Sequence, residues 1–506
     1  MWMWTESAAL AALVAAPLLM AVTSVVLGRR APVLTARLGA SAAGCGFVLA
    51  ALLTFGAARG EVASVGAGVA IITADRLAAV MFLLIFGVST VAQAFAIRYL
   101  AGDLRAGWFT GGASLLTAAS AVLVSASTLV GIAVGWTVAG VALCLLLGTY
   151  RELPSARDGV RRATTAFLIG DAALWVAVAL ISLSTGSVAL SDGVTAQIGG
   201  PVAGVVAILI VIAALSRSAQ IPFHRWLPAT LAAPTPVSAL LHAGVVNAGG
   251  ILLVRLSPLP SPALAAVLIV TAGAATMAVG AAIMLVKPDI KGALAYSTMA
   301  QMGFMMLTCG LGLWAATVLH LIAHGFYKAT LFLSSGSAIA RGRRHAALPA
   351  APRMTGRRRW LSAVCALALP AITLSVATLL VPSGTPHHAE QALLLFAWVT
   401  GAAVTWGWLQ RRPDVTGALS AAAFLLLAAL AYVAIINAVS AFLAPALPAA
   451  TVPPPVVWAV VGTAVILLAA LAGVRMSSPA NPAHRLVYTN ALSVGTINPT
   501  TSGARR

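Results

Sequence analysis

His320, His324 and Lys328 recur at intervals of four in the run LHLIAHGFYKATLFLSSGS. In a helix this spacing puts all three on one face, over about 12 Å at ~1.5 Å per residue. Histidine titrates near neutral pH and passes protons readily, and a lysine taken out of water can release its proton. One stripe of three such groups suits proton relay through water; packing alone would not need it. His242 lies in a second apolar run, ALLHAGVVNAGG, and Asp171 in AFLIGDAALW is the only acid deep within such a run. Arg217 ends a further one, VAILIVIAALSR. Arginine keeps its charge at any plausible pH. Arg217 can therefore tune a neighbour or hold backbone carbonyls, but it is a poor relay. A buried Asp171 needs a cationic partner, and Arg217 and the arginines at 161 and 162 are the candidates.

These residues sit in a chain made for lipid. It is 61% hydrophobic and 8% charged, where soluble domains carry roughly 25% charged residues. Apolar runs of about 20 residues, enough to span a bilayer as helices, recur from end to end. Their lack of two-residue alternation argues against a β-barrel. Helices are expected near 5–28, 33–57, 75–99, 108–127, 129–150, 160–185, 201–221, 236–256, 262–286, 291–312, 315–340, 360–382, 391–409, 415–445 and 455–475. The expected fold is thus an all-α polytopic membrane protein of 14–15 transmembrane helices. The seventh helix must break where Pro222, Pro228, Pro234 and Pro236 follow it, since proline removes a backbone donor and clashes with the preceding turn. Lipid tolerates such a break only where protein or a water-filled cavity meets the freed backbone groups. In the second half only Pro370, in ALALPAITL, offers a comparable interruption.

The net charge is +19, yet the basic residues lie between spans rather than on one soluble face, which argues against nucleic acid. They cluster in alternate loops: Arg29, Arg30 and Arg37; Arg98 and Arg105; Arg151 to Arg162; Arg225; Lys287 and Lys291; Arg341 to Arg359; Arg411 and Arg412. The other loops hold little beyond Arg59, Arg76 and Arg255. This alternation puts the N-terminus outside and the C-terminus in the cytoplasm of an inner (plasma) membrane. The first helix lacks a basic leader region and reads as retained, with Trp2 and Trp4 as interfacial anchors. The basic 341–359 loop is expected to meet lipid headgroups or a partner. Asp75 and Asp103, near the ends of the third helix, read as interfacial structural acids, and His387–His388 as solvated loop residues. Cys45, Cys144, Cys309 and Cys365 stand alone in apolar runs, so neither a disulfide framework nor a metal site is indicated. No phosphate-binding glycine-lysine-serine element occurs.

The motif SAQIPFHRWLP followed by PTPVSALLHA resembles the core signature of the antiporter-like, proton-conducting membrane family, which includes NuoL-like subunits of complex I and MrpA-like antiporter subunits. The HxxxHxxxK stripe is similar to the matching helix of NuoL-like subunits, where it lines a central hydrophilic axis. The resemblance covers roughly residues 70–345. The continuation HAGVVNAGGILLVRLSP looks most like the DabB branch, whose members work with a DabA-type peripheral subunit in an inorganic carbon pump.

The resemblance implies inverted five-helix repeats over 108–256 and 257–409. These would be flanked by N-terminal helices in 1–107, C-terminal helices in 410–475 and a cytoplasmic tail in 476–506. It implies a proton pathway of Asp171, Arg217, His242, His320, His324 and Lys328. It further implies a non-enzymatic subunit conducting protons or sodium ions for CO2/bicarbonate uptake, with no cofactor of its own and zinc in the DabA-type partner. The alternative is a NuoL-like or MrpA-like subunit of a complex I, membrane hydrogenase or cation antiporter. Three departures favour the DabB branch. Thr137 stands where NuoL-like subunits carry glutamate after the tryptophan, a second-half lysine is missing, and the end HRLVYTNALSVG is short.

Overall fold

The computed structural model describes residues 2–190, 198–259, 262–337, 342, 344, 356–381, 388–448, 454–476 and 481–496. Arg341, Arg343, Arg353, His387, Arg505, Arg506 and the side chains of Trp2, Trp4 and His388 lie outside what it describes. The helices are α1 (Trp2–Leu27), α2 (Pro32–Ala58), α3 (Arg76–Tyr99), α4 (Ala106–Ser125), α5 (Leu129–Leu147), α6 (Pro154–Thr185) and α7 (Gly200–Arg217). There follow α8 (Thr235–Ala243), α9 (Ala248–Arg255), α10 (Ala263–Met284), α11 (Ile290–Gly310) and α12 (Trp314–Leu333). The last are α13 (Gly356–Leu380), α14 (His388–Leu409), α15 (Val415–Leu443), α16 (Pro454–Met476) and α17 (Pro482–Gly495).

With α8 and α9 taken as one interrupted span, every expected helix has a counterpart. Eleven of the described helices are long and apolar enough to cross a membrane. α11 and α12 are not among those eleven; they carry Lys291, Gln301, His320, His324 and Lys328, and polar side chains lower the hydropathy of a segment that protein must then shield. The chain is a multi-pass membrane protein.

The boundaries differ from the sequence expectation in four places. The seventh helix stops at Arg217 rather than 221, because Ala219 takes a left-handed backbone conformation (φ 50°) that ends the helical run before the prolines begin. The eighth span is not continuous: α8 ends at Ala243, Val245–Asn247 forms a 3-10 turn, and α9 resumes at Ala248. No proline marks this second break; Gly244, which lacks a side chain to hold helical geometry, sits at its start. α13 runs through Pro370 unbroken. The tail contains α17, whose Gly495 carbonyl accepts from Tyr296 Oη at 3.3 Å and whose Ala491 is buried.

Two units divide the chain: residues 1–336 with 446–448 and 466–506, and residues 337–445 with 449–465. In the second unit Ala377, Ala429 and Val433 form a small core. In the first, α10 and α11 pack backbone to backbone where Gly273 faces Gly303; a Cβ on Gly273 would lie 2.8 Å from the Gly303 carbonyl. Small residues at such crossings permit the close van der Waals contact that drives helix association in lipid.

Loop contacts in this unit bear on the count. Arg255, ending α9, pairs with Asp75, whose carboxylate also caps α3 at the Ala78 amide, and donates to the Ala126 carbonyl after α4 at 3.3 Å. A short antiparallel ribbon, β1 (Ala63–Val65) with β2 (Ile72–Ala74), lies against the same edge through an Ile72–Ala126 bridge. On the opposite side, Tyr150 Oη donates to Asp103 at 2.7 Å, Arg105 pairs with Glu152 at 2.9 Å, and Lys291 reaches the Ala233 carbonyl at 3.2 Å. Loops assigned to one side by charge alternation thus meet one another. Asp75 and Asp103 each tie two loops or helix ends together through these contacts.

Candidate functional site

Two buried polar clusters lie in the first unit. The first is built on α5, α6 and α7. Arg217, at the last turn of α7, is fully buried, and its Nη2 donates to Asp171 Oδ1 of α6 at 2.7 Å. Of the candidate partners for Asp171, Arg217 is therefore the one used; Arg161 and Arg162 pair with Asp158 instead. Trp136 of α5 completes the cage. Its Nε1 donates to Asp171 Oδ1 at 2.7 Å, and its carbonyl accepts from Arg217 Nη1 at 3.1 Å.

The guanidinium lies against the Trp136 and Phe167 rings, 4.4 and 4.3 Å from their centroids. A desolvated cation on aromatic faces gains about 2 kcal/mol or more. The charge is thus matched by one carboxylate, one carbonyl and two π-faces. The cage fits only because glycines flank it. A Cβ on Gly140 would stand 2.8 Å from Arg217 Nη2, and one on Gly170 would collide with the Ser216 hydroxyl. Thr137 points elsewhere, accepting from Trp175 Nε1 at 3.1 Å. The acid facing the α7 cation is therefore supplied by α6, the helix after the one that carries Thr137.

A substitution follows from this packing. Gly140→Ala is expected to push the guanidinium off Asp171 and lower the melting temperature of the detergent-purified chain by several degrees. Gly204→Ala, where a Cβ meets open space, is the control expected to change nothing. Equal melting temperatures for the two variants would mean that the glycine at 140 does not hold the cage closed.

The second cluster joins α8, α11 and α12. His320 and His324 are one turn apart with rings 5.5 Å between centroids, and Lys328, fully buried, follows at the next turn. The expected stripe is present. His324 donates from Nε2 to the His242 carbonyl at 3.1 Å, leaving Nδ1 as a free acceptor. The Thr298 hydroxyl gives its proton to the Leu294 carbonyl at 3.0 Å, so it accepts from His242 Nδ1 at 3.1 Å. His242 also stacks on Phe332 at 4.2 Å, and Lys328 Nζ donates to Ser297 Oγ at 2.8 Å. Adjacent residues of α11, Ser297 and Thr298, therefore hold the lysine and a histidine in fixed positions. Each of these two imidazoles keeps one nitrogen able to accept a proton, and the lysine can donate one. The cluster can pass a proton along α12 wherever water reaches it.

The prolines act at the junction between the clusters. Pro222 immediately precedes and Pro228 lies within the 3-10 stretch Phe223–Thr230 that replaces helix after Arg217, while Pro234 precedes α8 and Pro236 lies in its first turn, where a missing N–H costs nothing. This detour re-aims the chain so that His242 enters α8 facing α11 and α12. The sequence reading did not single out Phe167, Ser297 or Thr298 for this site, and used Trp136 only to mark the position of Thr137; Ser297 and Thr298, adjacent polar residues in the run GALAYSTMAQMG, carried the one available signal.

The profile of the NADH:quinone oxidoreductase/Mrp antiporter transmembrane family matches residues 126–410, which hold both clusters. The chain belongs to this family. Among antiporter-family relatives, it is 37% identical over 354 residues to the "Probable inorganic carbon transporter subunit DabB1" of Halothiobacillus neapolitanus, covering 65% of this chain and 63% of that relative. It is 38% identical over 275 residues to the NADH-quinone oxidoreductase subunit L of Mycobacterium tuberculosis, covering 52% of this chain and 43% of the relative. The chain therefore spans less than two thirds of the length of these relatives. Its fold is similar to that in the structure of the Mrp complex from Dietzia sp. DQ12-45-1b, with a TM-score of 0.65 and 25% identity, over 96% of this chain and 60% of that one.

Proposed function

We propose that this chain is the membrane ion-conducting subunit of an energy-coupled inorganic carbon pump. Protons enter down their gradient through Asp171, Arg217, His242, His320, His324 and Lys328. A DabA-type peripheral partner uses that passage to drive CO2 hydration to bicarbonate in one direction. The hydration chemistry, and the zinc for it, belong to the partner. The chain sits in the inner membrane with its N-terminus outside and its C-terminus in the cytoplasm, a reading that the alternation of basic loops supports.

The observation that carries the reading is the buried line of His242, His324 and Lys328, held by Ser297 and Thr298 beside the Asp171–Arg217 cage. Ionisable groups at membrane depth are costly, and they point to an ion route by default. The likeness to an inorganic carbon transporter subunit supplies the substrate. A second reading, an energy-coupling subunit of a respiratory or antiporter complex, draws on the likeness to subunit L and to the Mrp complex.

Labelled bicarbonate uptake in cells without carbonic anhydrase separates the two. Uptake is expected only when this chain is expressed with a DabA-type partner, and it is expected to collapse with a protonophore. An assembled pair that takes up nothing would overturn the carbon-pump reading in favour of the second.

A further inference from the structure

The break between α8 and α9 lies where the two clusters approach each other. Its carbonyls are held by side chains from three directions. The His242 carbonyl takes the His324 Nε2 proton at 3.1 Å, and the Ala243 carbonyl takes one from Asn247 Nδ2 at 2.9 Å. The Val246 carbonyl accepts from Ser218 Oγ, adjacent to Arg217, at 2.6 Å. Asn247 also donates to the Leu321 carbonyl of α12 at 3.3 Å, next to His320. One amide nitrogen thus ties the open turn to the histidine helix, while Ser218 ties it to the Arg217 helix.

The amide oxygen of Asn247 is different. Asn247 is fully buried, and its Oδ1 has no protein donor. His324 Nδ1, His320 Nε2 and Gln301 Oε1, on the neighbouring α12 and α11, are likewise buried without a protein partner. An unsatisfied buried polar atom costs about 1–3 kcal/mol; Asn247 Oδ1 in the break and Nδ1 of His324, whose other nitrogen holds the His242 carbonyl, are both of this kind, and buried water is what ordinarily meets such atoms. A cavity of about 50 Å³, walled largely by apolar side chains such as Leu84, Val88, Leu123 and Ile251, backs onto the turn at Ala243–Val245 without reaching Asn247.

We propose that Asn247 is a further residue of the ion route, and that the 244–247 break is a water-holding junction joining its Arg217 half to its histidine–lysine half. Asn247 Nδ2 keeps the turn open, and Oδ1 accepts from the water that carries the proton across. The role in conduction rests on the proton-route reading above; the hydration of the break does not.

The test uses the full chain with its peripheral partner. In vesicles under an imposed proton gradient, Asn247→Leu, apolar and of similar size, is expected to cut proton flux at least ten-fold at equal assembled protein. Independently, Asn247→Cys is placed in a chain with Cys45, Cys144, Cys309 and Cys365 changed to alanine and exposed to 2-aminoethyl methanethiosulfonate. Modification is expected at least ten times faster than at Ala142→Cys, a fully buried position on α5. Parental flux through Asn247→Leu, or no faster modification than at the control, would overturn the proposal. If Asn247→Leu does not assemble, the labelling decides. If the parent complex carries no protons while Asn247→Cys is labelled rapidly, the junction is hydrated and the proton-route reading is the one that fails.

Discussion

Asp171→Ala is expected to destabilise the chain by roughly 3–5 kcal/mol, the cost of leaving a buried charge without its partner. Arg217 has no exposed surface, and a guanidinium does not shed its proton to escape that cost. The Trp136 carbonyl and the two ring faces remain in the variant, but neither carries a full negative charge. The effect is read as a fall in membrane yield and in the melting temperature of the detergent-purified chain. The double variant Asp171→Leu with Arg217→Met is expected to recover most of the lost stability, because apolar replacement of a buried ion pair is often neutral or favourable by about 1–4 kcal/mol. It is expected to recover no transport. An Asp171→Ala chain as stable as the parent would mean that the charge of Arg217 is balanced by something other than this carboxylate. Recovered transport in the double variant would make the pair structural only.

Lys328→Met is expected to reduce protonophore-sensitive bicarbonate uptake at least a hundred-fold while leaving assembly intact. The side chain is fully buried at the end of the α12 stripe and its ammonium is oriented by Ser297 Oγ. Methionine keeps the length and the packing and removes the exchangeable proton. Lys328→Arg is the sharper variant: it keeps the positive charge but cannot release it as a proton, so uptake is expected to be lost there as well. If arginine restores uptake, Lys328 acts as a fixed charge, and the relay ends at His324. If methionine leaves uptake unchanged, the stripe is not the route.

The membrane class, the helix order and the α12 stripe are legible in the sequence because each depends on residues close together in the chain. Hydrophobic runs report span length directly, and i, i+4, i+8 spacing reports one helical face. The loop charges carry the parity of the count, which the Asp75–Arg255 and Asp103–Tyr150 contacts match. The prolines also announce that regular helix ends after Arg217. They do not say where, since Ala219 and not a proline supplies the left-handed residue that stops α7.

What only the tertiary structure decides is which distant residues meet. Asp171 and Arg217 are 46 positions apart, and on sequence grounds Arg161 and Arg162 were equally candidates for Asp171; both instead pair with Asp158, one turn away. The choice follows from glycines at 140 and 170 that let α5, α6 and α7 close around one guanidinium. The break at 244–247 has no proline to announce it and persists because Ser218, Asn247 and His324 satisfy the carbonyls it frees. Local spacing determines which face of a helix is polar. Side chains brought in by other helices, together with Asn247 of the break itself, determine whether a broken turn can exist within the membrane, since each freed backbone group there needs a partner.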